Sequence, residues 1–137
     1  MLSNFPLFLI SFAIYNMIVF LTPGVAWSDV LLTVPMQSGA EWVITLGDGL
    51  MMISLLFLFI GVLRATRAGN HSMFDHALGT VIFAAAVAEF LLVPEAATSV
   101  FAILLLIALI EVLGGWSVAF CSARRDLTVE AMPDPMP

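Results

Sequence analysis

The chain has 137 residues, 62% hydrophobic and only 10% charged, whereas water-soluble domains carry roughly 25% charged residues. A single domain of this length cannot hide so much apolar surface within itself, so the composition argues against an ordinary soluble fold and makes the bilayer the expected solvent. Its formal charge of −6 sets ten acids against four arginines with no lysine; no basic patch points to nucleic acid, and the single Cys121 excludes an intramolecular disulfide.

A hydrocarbon core of ~30 Å takes about 20 helical residues to cross, and four segments meet that length. The first covers residues 4–22, with Asn4 as cap, Pro6 in the first turn and Pro23-Gly24 as the stop. No Lys or Arg precedes it. It therefore reads as an uncleaved span, although Gly24-Val25-Ala26 loosely follows the small-x-small pattern of a cleavage site. Residues 25–37 contain AWSDVLLTVPM, too short to cross and too apolar to float free. Trp27 and Trp42 flank it as interface residues do. This predicts a segment on the outer surface, either a short helix or an extended stretch.

The second span is expected over 41–66, with Ser38 and Glu41 as an S-x-x-E capping box and Gly69 after its end. The third is expected over 73–93, opened by Ser72 and Asp75 and ended by Pro94. The fourth is expected over 95–122, halted at the headgroups by Arg124-Arg125. The tail, 126–137, holds three prolines and three acids and reads as a disordered cytoplasmic segment. All four arginines follow the second and fourth spans, which makes those ends cytoplasmic. An even number of spans then puts both termini inside. The predicted fold is all-α: a polytopic membrane protein whose residues 1–125 form an antiparallel four-transmembrane-helix bundle.

Three acids lie within these apolar stretches: Asp48, Glu89 and Glu111. A membrane Asp costs about 2.5–3.5 kcal/mol at a helix centre on insertion scales, so each needs a reason. Asn16, Asp48 and Glu89 fall at roughly one depth, in the outer third, with Tyr15 beside Asn16. If they meet inside a bundle, two readings stand. They form a proton or cation site in which two close carboxyls share a proton, or a polar clamp that fixes helix packing by hydrogen bonds. Glu111 lies ~20 Å from Arg124, near the bilayer middle, with Ser54 at comparable depth. It is either the deep half of a polar path or one buried Glu bonded to a serine. Its stripe with Gly114-Gly115 also fits packing against another subunit.

His71 and His76 stand at the inner edge of the third span, five residues apart on one segment. That spacing fits neither a b-haem pair nor a metal site. Interface histidines are expected, and with them no cofactor and no metal. Cys121 reads as a packing thiol. No P-loop, GxSxG, HExxH or dinucleotide fingerprint is present, and no enzyme activity is expected.

The stretch DHALGTVIFAAAVAEFLLVPEAATS, with SARRD after the last span, resembles small four-span membrane proteins of proteobacteria that carry no assigned activity. The resemblance covers residues 75–126. It implies a four-helix fold in the bacterial inner (plasma) membrane, but no site. Small multidrug transporters also have four spans and a key membrane Glu, but theirs is in the first span, where this chain has Asn16. Two functions are consistent with these readings. One is a non-catalytic accessory or structural subunit, with lipid and other membrane subunits or a second copy as partners. The other is a small proton- or cation-coupled transporter or channel using the intramembrane carboxyl groups.

Overall fold

The structure is a computed structural model that describes residues 6–67 and 73–130. Its elements, in chain order, are helix α1 (Phe8–Leu21), strands β1 (Val30–Pro35) and β2 (Glu41–Thr45), and helices α2 (Leu46–Arg67), α3 (Met73–Leu92) and α4 (Ser99–Glu130). A 3-10 turn over Pro94–Ala96 joins α3 to α4. Among the described residues the fold is thus mostly helical, with four helices and one small antiparallel sheet.

The sheet corrects the all-α expectation. Residues 41–45 were expected to open the second span, but EWVIT is rich in β-branched and aromatic side chains. It pairs antiparallel with VLLTVP, Leu32 facing Ile44 and Val34 facing Trp42. A three-residue loop closes the hairpin: the Gly39 amide donates to the Met36 carbonyl, and the Met36 amide to the Ala40 carbonyl. Gly39 has φ +85°, a left-handed conformation that a side chain would strain. Ser38 and Glu41 therefore belong to a hairpin and not to a capping box.

The helix itself starts five residues later than expected, and a different capping box starts it. Thr45 Oγ1 accepts from the Asp48 amide (3.3 Å), while the Asp48 carboxylate accepts from the Thr45 amide (2.9 Å) and hydroxyl (2.7 Å). That reciprocal exchange satisfies donors the first helical turn would otherwise leave open.

At the far end α4 runs through Arg124-Arg125 to Glu130, past the expected stop and into the expected disordered tail. Arginine is a good helix former, and no Gly or Pro interrupts the chain before Pro133. The proposed cap Asn4, the residues His71 and Ser72, and positions 131–137 lie outside the described residues.

Helix α4 is the hub, packing against α1, α2 and α3, and α1 also packs on α2. On α1 the buried side chains are Phe8, Ser11, Phe12 and Tyr15, one stripe at i, i+3, i+4, i+7. Phe101 of α4, fully buried, receives them: Phe12 approaches to 5.1 Å between ring centroids and Tyr15 to 4.8 Å edge-on, while Phe90 of α3 stacks from the other side at 6.0 Å. Edge-on and stacked pairs of this kind add about 0.5–1.5 kcal/mol each beyond area burial.

Away from this core the helices are bare. Two stretches, Leu46–Arg64 and Ser99–Cys121, are long and apolar enough to cross a membrane, and only 17% of the first and 28% of the second is buried within the molecule. Phe8–Leu21 and His76–Leu92 are shorter apolar helices. Phe20, Leu55, Leu56, Phe59, Leu106, Ile110 and Leu113 all point away from the core.

Candidate functional site

Polar side chains in this core fall at four separate stations, three of them on α4. At the first, Thr98 caps α4, its hydroxyl oxygen accepting from the Phe101 amide (3.2 Å). The Tyr15 hydroxyl donates to the Glu95 carbonyl (2.9 Å) and lies 2.7 Å from Thr98 Oγ1. With its one proton on the carbonyl, Tyr15 accepts from Thr98, giving a relay from the Phe101 amide through Thr98 and Tyr15 to Glu95. Each bond in such a chain polarises the next. Trp27 stacks on the Tyr15 ring at 4.6 Å, and Glu89 of α3 is within electrostatic reach of its hydroxyl.

The second station is a pair of buried serines. The Ser54 hydroxyl of α2 donates to the Leu50 carbonyl (2.7 Å) and lies 2.8 Å from Ser11 Oγ of α1. Both groups are satisfied without water. Ser54 was the expected partner of Glu111; Ser11 takes that place instead, because Ser11 lies on the buried stripe of α1 at the same level.

Glu111 forms the third station. Its Oε1 accepts from the Leu7 amide (3.2 Å). This donor belongs to the start of α1, where no side chain of the local cap supplies a hydrogen bond. A carboxylate there meets both the open amides and the positive end of the helix dipole. Gly61 of α2 makes room: a Cβ at that position would stand 3.4 Å from Glu111 Oε1. Arg64, one turn further along α2, contributes a favourable charge. Glu111 Oε2 is buried with no hydrogen-bond partner.

The fourth station joins α3 to α4. His76 packs so tightly on Gly115 that a Cβ there would come within 2.8 Å of its Nδ1. Trp116 lies 5.8 Å from the His76 ring and donates from Nε1 to Thr80 Oγ1 (2.9 Å), and Thr80 in turn donates to the His76 carbonyl (2.8 Å). The inner-edge histidine of the sequence reading is thus a packing element between two helices.

Of the five candidate residues, Tyr15 and Glu89 are linked only by the charge of the Glu89 carboxylate acting on the Tyr15 hydroxyl. Asp48 is engaged by its own helix turn through Thr45. Asn16 Oδ1 is buried without a hydrogen-bond partner, so that atom bonds to neither Asp48 nor Glu89. Glu111 holds the start of α1, about two turns before Tyr15. The expected meeting of Asn16, Asp48 and Glu89 depended on placing Asp48 ~10 Å inside a helix that begins at Glu41. With α2 beginning at Leu46, Asp48 sits in its first turn.

Several contributors were missed. Thr98 was legible as a Ser/Thr cap before an apolar run, and Ser11 as a member of the α1 stripe. Gly61 carried no local signal, since its role depends on a carboxylate fifty residues away in the chain.

Among the described residues no group of three His, Cys, Asp or Glu side chains could hold a metal ion. No protein-family profile, curated protein or solved structure matches the chain.

Proposed function

We propose that the protein is an integral membrane protein that serves as a non-catalytic accessory or structural subunit of a membrane assembly. One observation carries this reading: two of its three intramembrane acids are spent on helix ends. Asp48 closes the capping box of α2, and Glu111 supplies the cap that α1 lacks. Each carboxylate is taken up by a backbone amide at a helix start, Asp48 by that of Thr45 and Glu111 by that of Leu7. The bare apolar sides of α2 and α4 support the membrane setting, since the core helix of a soluble protein of this length would be mostly buried. The proposed topology has both termini in the cytoplasm of a bacterial cell, from the arginines after the second and fourth spans.

The test is conservative replacement. Asp48→Asn, Glu89→Gln and Glu111→Gln each remove a titratable proton while keeping hydrogen-bonding atoms. A subunit so changed still enters its assembly, read as recovery of the same co-purifying proteins in mild detergent. Loss of cellular function with that assembly intact would reject the reading.

A second reading has a specific observation behind it. Glu111 Oε2 and Asn16 Oδ1 are both buried without hydrogen-bond partners, and a buried carboxyl oxygen with an open position can hold a proton. On that reading the protein is a small proton- or cation-coupled transporter. Purified protein in sealed vesicles then shows flux driven by pH or potential, abolished by Glu111→Gln. Vesicles with no flux dispose of it.

A further inference from the structure

The β1–β2 hairpin is amphipathic, and its two faces follow from the register. Leu32 pairs with Ile44 and Val34 with Trp42, so these four side chains share one face. Thr33 pairs with Val43 and Pro35 with Glu41, so the opposite face carries the polar side chains of Thr33 and Glu41 beside Val43 and Pro35. The first face holds no charge, yet Leu32 is 56% and Trp42 48% exposed. A lone two-stranded hairpin is marginal in water at best. Something must cover this face.

We infer that the covering surface is the outer boundary of the lipid bilayer, into which the Leu32/Val34/Trp42/Ile44 face is set. The inference rests on the membrane reading above. Continuity argues for lipid: β2 ends at Thr45 and α2 begins at Leu46, with no linker between them. The base of the hairpin is pinned there. The Leu46 amide donates to the Asp29 carbonyl (2.8 Å) and the Gly47 amide to the Trp27 carbonyl (3.0 Å). Leu31 lies against Gly49 in the first turn of α2. The apolar face therefore adjoins the start of the bare apolar surface of α2, and it carries Trp42, a residue type enriched at membrane–water boundaries. The backbone sets the depth. The outer edges of a two-stranded ribbon carry unpaired N–H and C=O groups, which headgroup water can satisfy and hydrocarbon cannot. The ribbon thus lies flat at the boundary and does not descend.

The experiment uses the full chain in phosphatidylcholine vesicles. Spin labels are placed singly at Leu32→Cys, Thr33→Cys and Leu56→Cys in a Cys121→Ser background, and collision with oxygen is compared with collision with a water-soluble nickel chelate. Label 32 is expected to favour oxygen, label 33 the chelate, and label 56, on the bare side of α2, oxygen. As an independent measurement with less disturbance of the hairpin, Trp42 emission is taken as the difference between the native chain and Trp42→Phe. It is expected to lose intensity to lipids brominated high on the acyl chain. Labels 32 and 33 both meeting the chelate, with label 56 in lipid, would overturn this inference and leave the membrane reading standing. Label 56 meeting the chelate as well would overturn both. Label 32 shielded from both reagents, with Trp42 unquenched by bromolipid, would replace lipid by a second copy of the chain and overturn the inference.

Discussion

Glycine sets the closest approaches in this protein. A Cβ on Gly47 would stand 2.9 Å from Val100 Cγ2 and 3.3 Å from the Trp27 carbonyl oxygen. Val100 is a core residue and the Trp27 oxygen is already bonded to the Gly47 amide, so neither neighbour yields freely. Gly47→Ala is expected to destabilise the fold by about 1–3 kcal/mol, the usual range for overpacking. The penalty should shrink in a Val100→Ala background, and thermal unfolding of the four members of that cycle in detergent measures the coupling. Charge acts at the same scale through Glu111. Glu111→Gln keeps an acceptor for the Leu7 amide but removes the negative charge from the positive end of α1. A loss of about 0.3–1 kcal/mol is expected, and Glu111→Ala, which removes the acceptor as well, should lose more. Equal melting temperatures for all three proteins would show that the carboxylate does not anchor α1.

Elements are decided by their ends. Thr45 is the last residue of β2 and the cap of α2, so one side chain terminates a strand and starts a helix. Thr45→Ala is expected to cost about 0.5–2 kcal/mol and to raise amide exchange over the first turn of α2. Asp48→Asn, which can still accept from the Thr45 amide, should cost less. Gly39→Ala forces a methyl-bearing residue to φ +85°, at a cost of about 1–2 kcal/mol. Faster proteolysis near the loop, with the helices intact, is the expected sign. The long apolar helices were legible because composition and length alone identify them. The hairpin was legible in principle, as two β-branched runs separated by Met36-Gln37-Ser38-Gly39-Ala40. It was overlooked because Ser38-x-x-Glu41 mimics a helix start. Thr45-x-x-Asp48, seven residues on, marks the true start, but a local rule gives no preference between two valid boxes. Pairing with Val30–Pro35 decides, and pairing is not a local property.

At the scale of the whole molecule the polar groups are dispersed. Tyr15 with Thr98 and Glu111 with the Leu7 amide tie α1 to α4 at two separate levels, Ser11 with Ser54 ties α1 to α2, and Trp116 with Thr80 ties α3 to α4. Which residues were polar within apolar stretches could be read from the chain, and that produced the candidates Tyr15, Asn16, Asp48, Glu89 and Glu111. Who meets whom could not be read, because a shift of five residues in the start of α2 moves every depth assigned along it. Dispersed ties imply independent contributions. Ser54→Ala and Glu111→Gln, at different stations, are expected to add within about 0.3–0.5 kcal/mol when combined. A large departure from additivity in unfolding free energy would indicate that the stations form one network.

The Leu7–Glu111 bond spans 104 residues of sequence. A chain emerging from the ribosome makes the first helix at once, but that helix must wait for the last one before its leading amides find their acceptor. Biogenesis should therefore pass through a state in which the leading helix is inserted but unlatched. Nascent chains stalled short of residue 111 are expected to leave that helix open to protease or to capture by an insertion chaperone, and extension by a few turns should close it.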